Sequence, residues 1–251
     1  MARHCRAAIE AAGPACVAVK LQLACFERLG ADGWSALEAT VAAAREQGLL
    51  VLADGKRGDV PVTARAYAQA LVGETPTPWG VVTGLGADAF TLNPLLGRDA
   101  LEPFIEAADA SAAGCFVLVR TSNPGAADVQ DLAAGDGPVY ESLARIVAEL
   151  GASRVGDCGL SSVGAVTGAT RADLLERLRE LMPTAIFLLP GVGAQGGAVE
   201  DLAAAFRPHA AAGLVTASRS IVDAAGEGDD HAQAAAAAAE DMRRAAWALA
   251  C

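Results

Sequence analysis

Residues 49–59, Leu-Leu-Val-Leu-Ala-Asp-Gly-Lys-Arg-Gly-Asp, carry the strongest indication of the fold. The first five of these residues are apolar, as in a strand buried in a parallel sheet. Asp54 and Lys56 follow at a spacing of two, so on a strand their side chains leave the same face. Asp59 comes shortly before Pro61, where proline suits the first helical turn and a carboxylate lies favourably near the helix N-terminus. The stretch predicts a strand with a charged end that leads into a helix.

The same alternation of strand and helix recurs along the chain and predicts a parallel sheet with crossover helices. The predicted strands are Ala15–Lys20, Leu49–Asp54, Ala89–Pro94, Cys115–Thr121, Val163–Gly168, Ala185–Val192 and Gly213–Ser218. The predicted helices are Ala2–Ala12, Trp34–Gln47, Thr63–Leu71, Asp99–Ala112, Val139–Leu150, Arg171–Leu181, Ala198–Phe206 and Asp229–Ala250. Polar and glycine-rich residues follow the strands, at the end where barrels and open α/β enzymes build their sites.

Length and charge limit the class of protein. A chain of 251 residues without a Pro- or Ser-rich linker fits one domain, 1–251, of the size of an α/β barrel. The formal charge of -11, from 19 basic and 30 acidic residues, disfavours nucleic acid as a partner. A small anionic substrate would have to be held by a few local cations against the overall field.

The cysteines and the hydropathy of the chain predict a cytoplasmic protein. The cysteines are scattered without a C-x-x-C pair, which indicates neither a disulfide framework nor a zinc ribbon. They are Cys5, Cys16, Cys25, Cys115, Cys158 and Cys251. The N-terminus lacks the apolar core of a signal peptide, and no stretch approaches the roughly 18 apolar residues of a membrane span. We expect no membrane partner.

A second lysine supports a catalytic interpretation of the stretch 49–59. Lys20 ends the preceding strand, so its ammonium group is expected beside Asp54 at the same end of the sheet. Alternating positive and negative groups around one mouth favour an active site. A salt-bridged strand end followed by a helix cap remains the structural alternative.

The glycine-rich segment Pro190–Gly197 predicts a phosphate site. It contains G-x-G-x-x-G, but that dinucleotide fingerprint belongs after the first strand, and no acidic ribose ligand follows the next strand. A better match is the barrel phosphate cradle, in which loops after the last two strands and a helix N-terminus bind a phosphate monoester. Arg219, just after the last strand, supplies a fork-like cation. A glycine turn without a ligand remains open as the alternative.

The other polar residues exclude several chemistries. His4, His209 and His231 lie in terminal or helix-flanking segments, and the chain has neither G-x-S-x-G nor H-E-x-x-H. This argues against histidine-dependent triads and most zinc catalysis. Asn123–Pro138 is the longest predicted irregular stretch and is a candidate lid.

Together these motifs resemble the bacterial type 2 subfamily of orotidine 5'-monophosphate decarboxylases. The resemblance runs through Val19–Gln22, Leu52–Val60, Asn93-Pro94, Thr121–Gly125, Gly168–Arg171, Pro190–Gly197 and Ser218-Arg219. It implies a TIM (β/α)8-type barrel that converts orotidine 5'-phosphate to UMP in pyrimidine biosynthesis, without a cofactor or a bound metal. By this similarity Lys56 protonates the C6 carbanion, and Lys20, Asp54 and Asp59 complete a charged tetrad.

The resemblance also implies the substrate-binding residues and the oligomeric state. Ser122 is expected to bind the pyrimidine, and Gln195 and Arg219 the 5'-phosphate, with Gly196 in the same set. Asp59 and Thr63 are expected to reach into the partner's site, which makes a homodimer the working unit.

The chain departs from the family pattern at its front. Leu21 and Leu95 replace an expected proline and an expected tyrosine, which are mild changes. The family opens with a strand that ends in Asp-Pro, and nothing before Ala2 supplies it. We therefore expect a barrel that lacks its first strand, either because Met1 is an internal start or because the sequence is truncated. If the protein has this sequence as written, we expect lower stability and impaired activity.

Two other functions remain open on sequence grounds. One is a Mg²⁺-dependent sugar-phosphate decarboxylase or aldolase of the same suprafamily, whose carboxylates would hold the metal. The other is a truncated, non-catalytic homologue that binds a nucleotide.

Overall fold

The computed structural model describes residues 1–250, which divide into two compact units. Unit 1 comprises Met1–Gly114 and Ser218–Arg243, and unit 2 comprises Cys115–Ala217 and the chain from Arg244 onward. The single domain over 1–251 stays a prediction. Among the helices described, none combines the length and the apolar character that a membrane crossing requires.

Unit 1 begins with a helix and then alternates strands with helices. Its strands are β1 (Ala18–Gln22), β2 (Leu50–Arg57), β3 (Glu74–Thr77), β4 (Gly80–Thr83) and β5 (Ala89–Leu92). Its first five helices are α1 (Ala2–Ala12), α2 (Leu23–Glu27), α3 (Gly30–Glu46), α4 (Pro61–Leu71) and α5 (Arg98–Ala110). Strand β2 pairs in parallel with β1 on one side and β5 on the other, while β3 and β4 form a separate antiparallel hairpin.

The core of unit 1 lies between these parallel strands and their helices. Val51 and Phe90 are fully buried, and the Phe90 ring lies 5.9 Å from that of Phe104 on α5. Such tight apolar burial fixes the strands and hence the positions of the residues that follow them. The pairing of β2 with β5 is regular as far as Ala53 and then shifts before Arg57.

Unit 2 repeats the strand and helix pattern. Its strands are β6 (Gly114–Arg120, starting at the last residue of unit 1), β7 (Ala133–Ala134), β8 (Gly137–Pro138), β9 (Ser161–Thr167), β10 (Ala185–Pro190) and β11 (Gly213–Thr216). Its helices are α6 (Val139–Gly151) and α7 (Leu175–Leu181); α8 (Arg219–Val222) and α9 (His231–Ala250) follow. The strands β6, β9, β10 and β11 pair in parallel in that order.

A buried arginine joins α7 to neighbouring segments of unit 2 by hydrogen bonds. Arg179 of α7 donates to the carbonyl oxygens of Met182, Ala185, Ala205 and Ala212 at 2.6–3.2 Å. Its guanidinium carbon lies 3.7 Å from the centroid of the Phe187 ring. Burial, with a smaller contribution from Arg207, lowers the pKa of Arg179 to about 10.

All seven predicted strands are confirmed, but two predicted helices need correction. Ala198–Phe206 is not an α-helix: it forms the 3-10 turns Val199–Asp201 and Ala203–Phe206, because Leu202 between them, at φ -96° and ψ 10°, lies outside the helical region. The predicted start of the helix Arg171–Leu181 is also wrong. Residues Ala169–Leu174 form a 3-10 segment with a non-helical Arg171, whose guanidinium is engaged by neighbouring carboxylates.

Two regions carry more structure than the sequence predicts. The stretch 123–138, expected to be irregular, contains a 3-10 turn at Pro124–Asp128 and the small antiparallel hairpin of β7 and β8. The hairpin of β3 and β4 was not predicted. Its residues are almost all exposed, so they show no alternation of buried and exposed positions.

Candidate active site

The centre of the charged site in unit 1 is the carboxylate of Asp54, which is 5% exposed. Its Oδ2 accepts a hydrogen bond from Lys20 Nζ at 2.6 Å, and its Oδ1 accepts one from Lys56 Nζ at 2.7 Å. The sequence prediction that these three side chains meet at the end of neighbouring strands is therefore confirmed. Lys20 and Lys56 are the only lysines in the sequence; the other 17 of its 19 basic residues are arginines.

The backbone at Lys56 departs from a regular strand. Its φ is +48°, in the left-handed region that residues other than glycine seldom adopt. Thr91 of β5 supports this geometry, because its hydroxyl accepts from the Lys56 N–H at 2.9 Å and donates to Asp54 Oδ1 at 2.9 Å. Conformations of this kind cost about 1–3 kcal/mol and occur at functional sites. The sequence analysis did not predict Thr91 as a site residue. The one feature that could have indicated it is a hydroxyl side chain in an otherwise apolar strand.

The turn after Lys56 brings Asp59 to the start of α4. Gly58 makes this turn possible, since a Cβ there would lie 2.6 Å from the carbonyl oxygen of Asn93. The Asp59 carboxylate accepts from the N–H of Val60, the residue that precedes α4, at 2.8 Å, but among the described residues it makes no capping hydrogen bond to the helix itself. Within residues 1–250, neither lysine forms an ion pair with Asp59. Thr63 lies exposed on α4.

The electrostatics of Asp54 favour the ionised form. Burial pushes the pKa of Asp54 upward, but the charges and hydrogen bonds of Lys20 and Lys56 outweigh burial, so the net pKa lies below the ordinary value. The side chain of Lys56 is 42% exposed and that of Lys20 is 20% exposed. The cluster thus presents an accessible ammonium group that rests on a buried anion.

A cavity of about 410 Å³ in unit 2 contains two predicted substrate-binding residues, Ser122 and Gln195. Its lining is Arg120, Ser122, Asn123, Pro124, Thr170, Arg171 and Gln195. Gly191 lies beneath it with φ +103°, and a Cβ there would approach the Ser122 Cβ to 2.9 Å. Glycine is therefore required both by the backbone conformation and by the space.

The arginines of this cavity were not predicted. Arg120 forms a bidentate ion pair with Asp131, Nε to Oδ1 at 2.7 Å and Nη2 to Oδ2 at 3.0 Å. Arg171 pairs with Asp173 at 2.8 Å and lies 3.5 Å from Asp131 Oδ2. The hydrogen bond from Arg120, together with the charges of both arginines, holds the pKa of Asp131 below its usual value.

The glycine-rich loop after β10 is closed by its own hydrogen bonds. The N–H of Gly193 donates to the carbonyl of Gly197, that of Gly196 to Gly193, and that of Gly197 to Gly191. No α-helix starts at Ala198, so the helix N-terminus expected in the phosphate cradle is replaced by a 3-10 turn. Gln195 and Gly196 are exposed in the loop, and Arg219 is an exposed residue that opens α8 in unit 1.

The described residues of the two units, 1–250, show no obvious metal site. Among residues 1–250, no three His, Cys, Asp or Glu side chains are grouped closely enough to hold a metal ion. Both oxygens of Asp54 are already occupied by ammonium groups, and Thr91 shares one of them.

Unit 1 thus places two lysines around a strand-end carboxylate, within alternating parallel strands and helices. The family model described as "Orotidine 5'-phosphate decarboxylase / HUMPS family" matches residues 2–237. The chain belongs to this family.

The similar proteins agree with this assignment. An orotidine 5'-phosphate decarboxylase of Rhodopirellula baltica is 45% identical over 223 residues, which cover 88% of this chain and 72% of that protein. One of Deinococcus radiodurans is 47% identical over 234 residues, covering 93% and 81%. The solved structure of Leishmania donovani OMP decarboxylase superposes with a TM-score of 0.78 at 32% identity, covering 99% of this chain and 87% of that one. A structure from Streptomyces avermitilis gives a TM-score of 0.82 at 37% identity, covering 99% and 82%. The predicted TIM-type α/β class is confirmed.

Proposed function

We propose that this chain decarboxylates orotidine 5'-phosphate to UMP, with Lys56 as the group that protonates C6. The observation that carries the proposal is the buried Asp54 carboxylate with Lys56 and Lys20 on its two oxygens. Family membership and the names of the relatives support the substrate.

The reaction needs what this cluster provides. The bond between C6 and the carboxylate breaks, CO₂ leaves, and the electron pair stays on C6 in the plane of the pyrimidine ring. No neighbouring carbonyl can delocalise that charge, so a fixed ammonium group is the available stabiliser. Lys56 then transfers a proton to C6, which completes UMP, and regains a proton from solvent. Asp54 holds the ammonium in place before the charge develops.

The other predicted residues bind and position the substrate in this proposal. Ser122 contacts the pyrimidine, and Gln195, Gly196 and Arg219 bind the 5'-phosphate. Ser122 and Gln195 line the same cavity, which supports the proposal that both bind one nucleotide. Binding energy from the phosphate helps to hold the reacting end of the nucleotide in place.

We further propose a homodimer in which Asp59 and Thr63 serve the partner's site. Around these residues unit 1 exposes large apolar side chains, with Val62 84%, Val60 55% and Leu95 80% exposed. Large apolar side chains that lie exposed close together are typical of a protein interface. We expect the enzyme in the cytoplasm, and the free thiols of Cys5, Cys16, Cys25 and Cys158 suit a reducing compartment.

The metal-dependent alternative finds less support in unit 1. A Mg²⁺ ion would need carboxylate oxygens of the site as ligands. Those of Asp54 are occupied by two cations, which a metal ion would have to displace.

The decisive test is turnover of orotidine 5'-phosphate by the purified protein, measured as the decrease in ultraviolet absorbance. We expect activity in the wild type, undiminished by EDTA, and its loss in Lys56→Ala. Loss of activity in EDTA would favour the metal-dependent alternative. A protein that binds UMP but shows no turnover in either form would be the non-catalytic homologue.

The shared site is tested by mixing two inactive variants, Lys56→Ala and Asp59→Asn. If Asp59 acts across the interface, mixed dimers contain one intact site, and activity should return to about a quarter of the wild-type value after exchange of subunits. If each subunit uses its own Asp59, the mixture stays inactive.

A further inference from the structure

The segment that carries Ser122 is fixed through its backbone on both sides. The Thr121 N–H donates to Gln130 Oε1 at 2.8 Å, and the Thr121 carbonyl accepts from Arg120 Nη1 at 2.6 Å. The Ser122 carbonyl accepts from the Thr170 hydroxyl at 3.0 Å. The Arg120 guanidinium is therefore one of three side chains that hold the backbone on either side of Ser122.

Asp131 determines the orientation of that guanidinium. Its two oxygens bind Nε and Nη2 of Arg120, which leaves Nη1 directed at the Thr121 carbonyl. A bidentate pair of this kind fixes the plane of the guanidinium as well as its distance. Arg120 is 5% exposed, so it cannot turn to water if the carboxylate is removed.

We propose that Asp131 is a positioning residue for the substrate cavity, which acts through Arg120 to hold Ser122 in the place that recognises the nucleotide. This inference rests on the proposed function, because it concerns the pyrimidine contact of Ser122. The same carboxylate lies 3.5 Å from Arg171, so it contacts two arginines that line the cavity. Asp131 thus ties the segment 123–138 to two arginines that line the cavity.

The chain offers a matched control in Asp173. This carboxylate also pairs with Arg171, at 2.8 Å, but its side chain is 62% exposed and it has no hydrogen bond to Arg120. Changing either aspartate to asparagine removes one negative charge near Arg171. Only Asp131→Asn removes the orientation of Arg120.

The test compares kcat and KM for orotidine 5'-phosphate in the wild type, Asp131→Asn and Asp173→Asn. We expect kcat/KM to fall about tenfold or more in Asp131→Asn, mainly through KM, because the contact residue is misplaced. Asp173→Asn should stay within about twofold of the wild type, since surface changes of this kind have small effects. Equal effects in the two variants would overturn the inference.

A double-mutant cycle with Arg120→Gln separates positioning from general destabilisation. If Asp131 acts through Arg120, the double variant should be no worse than the poorer single variant, since residues that act as a unit are not additive. Additive losses would contradict the inference. If Asp131 served only to reduce positive charge in the cavity, Asp131→Asn would bind UMP more tightly than the wild type, which would also contradict it.

Hydrogen exchange gives a readout that does not depend on activity. In Asp131→Asn the amides of residues 121–123 should exchange faster than in Asp173→Asn, with other amides of unit 2 unchanged. Unchanged exchange at 121–123 would overturn the inference. Absence of turnover in the wild type would instead overturn the proposed function. Asp131→Glu, which keeps the charge, should show a smaller loss than Asp131→Asn, and it serves if the asparagine variant fails to fold.

Discussion

The charged cluster of unit 1 and the cavity of unit 2 are built by different physical means. In the cluster, Lys20, Asp54 and Lys56 lie on neighbouring strands, and both cations pair with one buried carboxylate. In the cavity, Ser122 lies on a segment that follows a strand, and the backbone of this segment is held by hydrogen bonds with loop and strand-end side chains. The proposed chemical step therefore relies on fixed charge, whereas the proposed recognition relies on an anchored loop.

The comparison predicts that the two regions affect different kinetic constants. Lys56→Gln should lower kcat by about 10³-fold or more, since one group supplies both charge stabilisation and the proton. Ser122→Ala should act mainly on KM. Steady-state kinetics with orotidine 5'-phosphate, together with calorimetric binding of UMP, would measure both. If Lys56→Gln lost UMP binding as severely as turnover, the division between chemistry and recognition would be wrong.

The pH dependence of the free energy of unfolding tests the ion pairs of the cluster. The pKa of folded Asp54 lies below its ordinary value, so its ion pairs stabilise the protein fully above the unfolded pKa of about 3.9. This contribution is lost as the pH falls through the folded pKa. Asp54→Asn should lower the free energy of unfolding by about 3 kcal/mol at neutral pH, because two ammonium groups lose their counterion.

The measurement is urea unfolding of wild type and Asp54→Asn between neutral pH and about pH 3. The difference between the two proteins should shrink as the pH falls below about 4. Other carboxylates with lowered pKa, such as Asp131 and Glu141, titrate in both proteins and cancel in the difference. A difference that stays constant in acid would mean that Asp54 is not stabilised by these charges.

Gly191→Ala tests the cavity through its effects on stability and on KM. Alanine at φ +103° is strained, and its Cβ would press on the Ser122 Cβ at 2.9 Å, so the free energy of unfolding should fall by about 1–3 kcal/mol and KM should rise. Gly228→Ala is the control, with φ +87° and no atom within 4 Å of the added Cβ. It should show a smaller loss of stability and an unchanged KM. An equal rise of KM in both variants would show that contact with Ser122 is not the cause.

The sequence predicted the cluster better than the cavity for a physical reason. Strands follow from apolar runs, and a spacing of two placed Asp54 and Lys56 on one face. The left-handed backbone at Lys56 could not be predicted, because lysine has no preference for that conformation. In the cavity, the pairing of Arg120 with Asp131 joins residues across an irregular segment, and nothing in the chain singles out one of 30 acidic residues.

Local propensity was also misleading where tertiary contacts dominate. The alanine-rich segment Ala198–Phe206 favours helix by composition, yet it forms two 3-10 turns. Its carbonyl at Ala205 accepts from the buried Arg179 instead of continuing a helix. Thr91 is a further case, because its role arises only from the shift in pairing between β2 and β5.

Thr91→Val tests that role with the smallest expected effect. The change keeps the shape of the side chain but leaves the Lys56 N–H without its acceptor and Asp54 without one donor. We expect a loss of about 1 kcal/mol in the free energy of unfolding and a few-fold lower kcat, with KM unchanged. Thr40→Val is a matched control, since Thr40 is equally buried and its hydroxyl donates only to the Ala36 carbonyl of its own helix. Because Thr40 has no bond to the cluster, its variant should keep the wild-type kcat, and a parallel fall in both variants would assign Thr91 to packing alone.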